Sequence, residues 1–296
     1  MQVATARPVV KGALVLAGLA ALAASLASAA SAAPTLRNDT IRISTIRHDS
    51  ISSANWAGYG VTSLPFGTAK SFTNVAGTWV QPAVTCTANS APSYSAFWVG
   101  LGGLTENSTA LEQTGTEANC GADGTATYDA WYEIIPAPPV PVKLTVRPGD
   151  TISAIVTITG KTVKFRLQNL TLHTIVNKKV KMKSPDLSSA EWIAEAPSAC
   201  TDSNHCTTLP LANFGTVNFL GAAATASKHT GLIADTAWNQ DTIELDARQG
   251  NGPIGSFGGN TSASAIPSAL TSYGGFTVAW TATPPTPQPS TPPPPQ

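Results

Sequence analysis

Glu112 and Gln113 stand side by side in the stretch STALEQTGTEANC, residues 108–120. The flanking residues are apolar and rich in threonine, a composition typical of a β-strand. A carboxylate can take a proton from water, and a carboxamide can both accept and donate hydrogen bonds. Because successive side chains of a strand point to opposite faces, at most one of the two can look into a given cleft. The pattern alone does not choose between them.

A second candidate carboxylate lies in SAEWIAE, residues 189–195. Alternation places Glu191 and Glu195 on one face of this predicted strand and Trp192 on the other. Such a strand forms either the floor of a cleft or an ordinary sheet with its polar side in solvent.

Signatures of other catalytic classes are absent from the sequence, which has no H-E-x-x-H, G-x-S-x-G or P-loop motif. His48, His173, His205 and His229 leave a Ser-His-Asp triad open, because its members meet in space rather than in sequence. None of the four histidine positions favours such a triad. No His or Cys has zinc-finger spacing, so we expect neither a metal nor a cofactor.

The elements that must position these side chains are strands. Runs of Val, Ile, Thr and aromatic residues recur at short intervals, separated by turn residues such as Pro148-Gly149-Asp150. No sustained helical period longer than about three turns occurs outside the N-terminal 33 residues. The sequence therefore predicts an all-β fold, an antiparallel sandwich or barrel.

The two ends of the chain have different compositions. Residues 1–33 show the charged, apolar and small-residue order of a secretory signal peptide, so we expect an extracellular protein with no membrane association after signal removal. Residues 34–50 are interpreted as a lead-in or short propeptide and residues 51–282 as one β domain. Residues 283–296 form a Pro-rich tail that is expected to be extended and disordered, and it could reach a cell wall.

The number of cysteines and the net charge limit the functions that remain possible. An even number of cysteines in an exported chain favours two disulfides, and the short spacing of Cys200 and Cys206 pairs them and leaves Cys86 with Cys120. The 17 basic and 17 acidic residues cancel, which predicts no basic field for nucleic acid or an anionic membrane. We expect a monomer.

Seven blocks resemble the glutamic peptidase family (eqolisins, peptidase family G1, formerly A4), and they occur in the family order. The blocks are NWAGY (55–59), GTWVQP (77–82), FWVGLGG (97–103), LEQTGTE (111–117), YDAWYEIIP (128–136), SAEWIAEAP (189–197) and ANFGTVNF (212–219). The resemblance implies a sandwich of two antiparallel, roughly seven-stranded sheets with a concanavalin-like jelly-roll topology. It also implies a secreted endopeptidase that uses one Gln and one Glu.

Carried over position by position, the resemblance implies that Gln113 and Glu191 are the catalytic residues. It places substrate-binding aromatic residues at Trp56, Trp98 and Tyr132. An acidic residue that supports the catalytic Gln is expected at Glu117.

Elementary chemistry supports such a pair. Peptide hydrolysis needs a base for the attacking water, a donor for the oxyanion and an acid for the leaving amine. Glu191 can serve as base and then acid, and the Gln113 carboxamide can orient the water and donate to the oxyanion. A neutral Gln leaves the pKa of its Glu partner near about 4.3 unless the Glu is buried, which predicts activity in acidic to mildly acidic solution.

Two other functions remain open from the residues alone. A carbohydrate-binding sandwich would stack its Trp and Tyr side chains on sugars. A glycoside hydrolase would need a second carboxyl about 5 to 9.5 Å from the first, and Glu133 or Glu195 could partner Glu191. The segment before Tyr94 is short and the one after residue 219 is rich in Gly and Ser, so the substrate preference of the expected peptidase is open.

Overall fold

Strands account for all the regular secondary structure in the computed structural model, which describes residues 35–37, 41, 43–46, 50–65, 67–105, 108–200, 206–246 and 263–282. These residues lie in the unit Pro34–Gln296. The predicted signal peptide, part of the predicted lead-in and the Pro-rich tail lie outside the described residues.

The described residues form twenty strands. In chain order they are β1 Thr35–Arg37, β2 Ile43–Ile46, β3 Ile51–Ser53, β4 Trp56–Thr62, β5 Phe72–Val80, β6 Ala96–Leu101, β7 Leu111–Cys120, β8 Ala126–Ile135, β9 Val140–Pro141, β10 Thr151–Thr159, β11 Thr162–Asn169, β12 Thr174–Lys181, β13 Ser189–Glu195, β14 Ser198–Cys200, β15 Cys206–Thr208, β16 Thr216–Ala226, β17 His229–Leu232, β18 Asn239–Leu245, β19 Ala263–Pro267 and β20 Phe276–Ala282.

Pairing between these strands defines two large sheets. The front sheet has the order β9-β8-β7-β6-β13-β4-β18, and β3 adds parallel to β18. The back sheet has the order β12-β11-β10-β5-β16-β20-β19. All neighbours within these two orders are antiparallel, and Leu245 opposite Ala265 joins the sheets at one edge.

Large aromatic side chains fill the space between the two sheets. Tyr132 of the front sheet stacks on Phe165 of the back sheet with ring centroids 5.0 Å apart. The Trp192 Nε1 donates to the Ala76 carbonyl at 2.8 Å, so a fully buried indole keeps its hydrogen bond while it packs. Burial of each such side chain contributes roughly 2–3 kcal/mol, and these contacts hold the sheets face to face.

The front sheet is buried on both of its faces. Every residue of β13 is buried, whereas β10 in the back sheet alternates between buried and half-buried positions. The face of the front sheet that points away from the back sheet, here called the front face, carries a second apolar cluster that includes Trp56, Trp98 and Ile193. The polar side chains on this face are therefore surrounded by apolar groups rather than by bulk water.

Residues of the predicted lead-in contribute to this architecture. Strand β1 pairs with β14, and β2 pairs with β3. The Ile41 amide donates to the Gly103 carbonyl at 3.3 Å, and the Ile41 side chain packs against the front-face cluster. The boundary between lead-in and domain stays a prediction, as does the propeptide role.

Two disulfides close loops at the margins of the sheets, Cys86–Cys120 and Cys200–Cys206. These are the predicted pairs. The first ties the loop after β5 to the end of β7, and the second joins β14 to β15. Disulfides of this kind suit a protein of an oxidising compartment. Within the described part of the chain, no helix is long and apolar enough to cross a membrane.

Candidate active site

Strand register brings the two predicted catalytic residues into one row. Glu191 of β13 lies opposite Gly100 of β6, Gly100 lies opposite Gln113 of β7, and Gln113 lies opposite Glu133 of β8. Paired residues of neighbouring strands project from the same face of a sheet. Glu191, Gln113 and Glu133 therefore all project from the front face, and we call these three residues together with Gly100 the catalytic row.

Gly100 keeps the centre of this row open. Neighbouring strands lie about 4.8 Å apart, so the Cα atoms of Glu191 and Gln113, two strands apart, are separated by roughly 9.5 Å. A Cβ atom added to Gly100 would lie 2.9 Å from both the Trp98 ring and the Leu111 side chain and 3.3 Å from the Gln113 Cβ. Only a glycine leaves room between the carboxylate and the carboxamide.

Glu191 is a carboxyl group in an apolar environment. It is 0% exposed, and neither of its oxygens has hydrogen-bonding geometry with any group in the described ranges. Burial raises the pKa of Glu191 well above 4.5, and the carboxylates of Asp186 and Glu112 add to the increase. The nearby Ser189 hydroxyl lowers this pKa in part. Burial therefore favours the neutral form of Glu191 relative to a carboxyl group in water.

Gln113 is held by Glu133, a residue whose role the sequence did not indicate. The Gln113 Nε2 donates to the Glu133 Oε2 at 2.9 Å, and both side chains are 0% exposed. Alternation within YDAWYEII would have placed Glu133 on the same face as Trp131 and Ile135. Only the register of β7 with β8 shows that Glu133 lies directly opposite Gln113.

Trp56 and Trp98 lie on the same face as the catalytic row. Their rings meet edge to face with centroids 4.9 Å apart, an arrangement that aromatic quadrupoles favour. The Trp98 Nε1 donates to the Glu195 Oε2 at 2.8 Å, and the Asn55 Nδ2 donates to the Glu195 Oε1 at 3.4 Å. Glu195 thus fixes the Trp98 ring beside the row.

Tyr132 does not join the other predicted site residues. Its ring packs between the sheets on Phe165, on the opposite face of β8 from Glu133. Trp131 and Ile135 occupy the front face instead, and both belong to the front-face cluster. Because adjacent residues of a strand point in opposite directions, a contact between Tyr132 and a substrate on the front face is not supported.

Glu117 lies on the front face but not beside Gln113. It is four residues further along β7, roughly 13 Å away, and pairs with Ala96, which in turn pairs with Glu195. Burial raises the pKa of Glu117 to about 7, while the hydrogen bond from the Asn119 amide, 2.8 Å long, lowers it in part. The predicted support of Gln113 thus comes from Glu133 in this structure.

Glu112 points away from the catalytic row, as alternation predicts. The Asp186 amide donates to its Oε1 at 3.4 Å. Burial raises the pKa of Glu112 to about 8, and the Asp186 carboxylate adds to the increase. Among the residues that the structure describes, no group of three or more His, Cys, Asp or Glu could hold a metal ion.

The fold and the row of Gln and Glu side chains can be compared with those of known protein families. Residues 54–251 match the peptidase A4 family, and the chain therefore belongs to this family. The resemblance inferred from the seven sequence blocks is confirmed.

Two curated relatives are fungal peptidases. Aspergillopepsin-2 of Aspergillus niger is 30% identical over 200 residues, which cover 60% of this chain and 66% of that protein. Scytalidopepsin B of Scytalidium lignicola is 29% identical over 197 residues, 64% of this chain and 70% of that protein. The chain thus spans about two thirds of the length of these relatives.

Solved structures confirm the fold class. Scytalido-glutamic peptidase with a peptide-based transition-state analogue superposes with a TM-score of 0.59 at 24% identity, over 77% of this chain and 98% of that one. SCP-B, a member of the eqolisin family in complex with the tripeptide Ala-Ile-His, gives a TM-score of 0.55 at 24% identity with the same coverage. The predicted antiparallel β-sandwich is confirmed.

Proposed function

We propose that this protein is a secreted glutamic endopeptidase in which Glu191 and Gln113 hydrolyse a peptide bond bound across Gly100. The observation that carries the proposal is the catalytic row itself, a buried carboxyl and a buried carboxamide on either side of a glycine. Membership in the peptidase A4 family supports the same reaction. Protein or peptide substrates follow from this assignment.

The reaction needs only these side chains and one water. The Glu191 carboxylate takes a proton from the water while the water oxygen attacks the carbonyl carbon of the substrate. The C=O bond of the substrate becomes a C–O⁻ bond. The Gln113 Nε2 carries two hydrogens. One is donated to Glu133, and the other can be donated to the oxyanion. Protonated Glu191 then gives its proton to the nitrogen, the C–N bond breaks, and a carboxylic acid and an amine leave.

Substrate binding is assigned to the aromatic pair beside the row. Trp56 and Trp98 lie on the front face next to Glu191 and Gln113, where both rings are fully buried within the front-face cluster. Apolar residues that flank the scissile bond would bury surface against this cluster, which favours an extended peptide lying over the front sheet.

The pKa of Glu191 sets the low-pH limit of this activity. The base form of Glu191 is lost as the pH falls through its pKa, and burial raises that pKa well above 4.5. The acidic preference expected from the sequence assumed a Glu191 pKa near its ordinary value, and burial moves the expected loss of activity to higher pH. A rate that keeps rising towards about pH 2 would contradict the role of Glu191 as base.

The register of the front-sheet strands supports a glycoside hydrolase less than it supports a peptidase. Glu133 lies three strands from Glu191, roughly 14 Å between Cα atoms, and Glu195 lies four residues along the same strand, at a similar distance. Neither residue is therefore a direct cross-strand neighbour of Glu191, whereas Gln113 and Glu191 flank the same glycine.

The proposal is tested by cleavage of casein or a denatured protein between about pH 2 and about pH 8. We expect Glu191→Gln to lower kcat by roughly a thousandfold, because it removes the base that lies across Gly100 from Gln113. Gln113→Ala should lower it by roughly a hundredfold through loss of the oxyanion donor.

Glu117→Gln provides the matched control, because Glu117 is also a buried front-face carboxyl but lies outside the catalytic row. It should keep most of the activity. The proposal is wrong if both row variants hydrolyse protein at the wild-type rate while their circular dichroism shows a native fold.

A further inference from the structure

Basic residues are concentrated in one part of this neutral chain. Nine of the 17 Lys and Arg residues fall between residues 143 and 183, a stretch whose one acidic residue is Asp150. Asp150 is buried and accepts hydrogen bonds from the Asn169 Nδ2 at 2.7 Å and the Arg147 amide at 2.9 Å. Its charge is thus directed into the fold.

Strands β11 and β12 place three of these cations, Lys164, Arg166 and Lys179, along a groove on the outer face of the back sheet. The groove has a volume of about 480 Å³, and its neutral polar lining includes Asn74, Thr157 and Asn177. Lys178 also borders the groove, but it pairs with the buried Phe165 and therefore projects from the opposite face. We call this surface the basic groove, and its three outer-face cations are exposed.

The protection of an exposed sheet edge does not explain this arrangement. Lysines on an edge strand such as β12 discourage pairing with other chains. Lys164 and Arg166, however, lie on β11, which is not an edge strand because it pairs with β10 on one side and with β12 on the other. Lys164 stands directly opposite Lys179 on the same face, a pairing of like charges that destabilises a sheet.

Within the described part of the chain, no acidic side chain forms an ion pair with the cations of the groove. The Arg166 Nη2 donates to the neutral Gln168 Oε1 at 3.1 Å. Over the described ranges, the ion pair present is His229–Asp235, which involves none of the groove residues. A cluster of uncompensated cations costs stability that a bound anion would restore.

The spacing and the neutral groups indicate what kind of anion fits. Alternate residues of a strand are about 6.8 Å apart and neighbouring strands about 4.8 Å apart, so the cations form a grid over several ångströms. Amide and hydroxyl groups of Asn74, Thr157 and Asn177 line the same groove. The groove's aromatic residue, Phe165, is buried, so no ring is offered for the stacking of nucleic acid bases.

We propose that the basic groove binds an acidic polysaccharide, a linear sugar polymer that carries carboxylate or sulfate groups. The cations pair with the anionic groups, and the amide and hydroxyl groups bind sugar hydroxyls. The groove lies on the outer face of the back sheet, whereas Gln113 and Glu191 project from the front face. A bound polymer would therefore leave the catalytic row free.

Binding of the purified full chain is to be measured by titration at low and at moderate salt. The probes are polygalacturonate and dextran sulfate, with neutral dextran and duplex DNA for comparison. We expect binding to one or both acidic polymers that weakens as salt rises, and no binding to neutral dextran. Polygalacturonate and dextran sulfate distinguish carboxylate from sulfate recognition.

The variant Lys164→Gln/Lys179→Gln should lower the affinity roughly tenfold. The matched control, Lys143→Gln/Arg147→Gln, removes the same charge from exposed residues that do not line the groove and should keep the affinity. Because the groove variant removes a like-charge pair, its Tm should not fall.

Three results would overturn the proposal. They are absence of binding to both acidic polymers at low salt, an equal loss of affinity in the control variant, and duplex DNA binding as tightly as the acidic polymers. The last result would mean that charge alone, rather than a polysaccharide, is recognised.

Discussion

Glu133 determines which way the Gln113 carboxamide points. The Gln113 Nε2, rather than its Oε1, faces the Glu133 Oε2 at 2.9 Å, and this carboxyl oxygen accepts the hydrogen bond. One hydrogen of the amide is thereby fixed and the second has a defined direction. Correct orientation of a polar group before reaction is a large part of catalysis.

Replacement of Glu133 by Gln should therefore impair the reaction step more than substrate binding. An amide at this position can accept or donate, so it no longer selects one orientation of Gln113. We expect Glu133→Gln to lower kcat by roughly tenfold to a hundredfold with a smaller change in KM.

Glu195→Gln is the comparison for this test, because Glu195 is equally buried but holds Trp98 instead of Gln113. Its effect should fall mainly on KM. The proposed positioning role is wrong if Glu133→Gln raises KM and leaves kcat unchanged.

Strand β6 separates the two strands that carry the proposed catalytic residues. It lies between β13 and β7 and presents Gly100 where any larger side chain would stand between Glu191 and Gln113. The strand therefore provides both the distance between the two groups and the space above the sheet. A larger residue at position 100 would keep the distance between the two groups but would fill the space above the sheet.

Gly100→Ala is expected to reduce activity beyond its effect on stability. The added Cβ would approach the Trp98 ring and Leu111 to 2.9 Å, which forces both to shift under the bound peptide. We expect kcat/KM to fall by roughly a hundredfold.

The matched change is Gly77→Ala, whose Cβ would lie 2.8 Å from Trp192 and 3.0 Å from Val99 in the core between the sheets. Both variants should unfold at lower denaturant concentration, but only Gly100→Ala should lose activity per folded molecule. Equal specific activities for the two folded variants would show that the space at Gly100 is not needed.

At the scale of the whole molecule, buried carboxyl groups couple folding to pH. Burial raises the pKa of Glu112 to about 8 and that of Glu117 to about 7, from 4.5, and it also raises the pKa of Glu191. In the folded protein these groups hold their protons more tightly than in the unfolded chain. Their contribution to stability is therefore complete below about pH 4.5 and is lost as the pH rises to about 7–8.

We accordingly expect the Tm to fall as the pH rises from about 4.5 to about 8, on the order of 10 °C. Each unit of pKa difference corresponds to about 1.4 kcal/mol. Scanning calorimetry in buffers across this range measures the slope.

The slope should be smaller in Glu112→Gln, which removes the group whose pKa reaches about 8. A Tm that rises from acidic to neutral solution would contradict the assignment of these carboxyls as protonated in the folded state.

Local sequence patterns were enough to predict the class of fold and to indicate two catalytic candidates. Period-2 alternation and turn residues require only local chain geometry, so they are readable without a structure. The motif order identified the family and, through it, Gln113 and Glu191. Alternation also separated Glu112 from Gln113, because neighbouring side chains in a strand cannot share a face.

Only the tertiary structure decided which residues meet. Alternation states that Tyr132 and Glu133 point in opposite directions, but packing on Phe165 decides which of them faces inward. The partnership of Gln113 with Glu133 depends on strand register, which long-range packing sets. A net charge of zero does not indicate the basic groove, because composition sums charges without regard to position, and the back sheet brings several cations together in space.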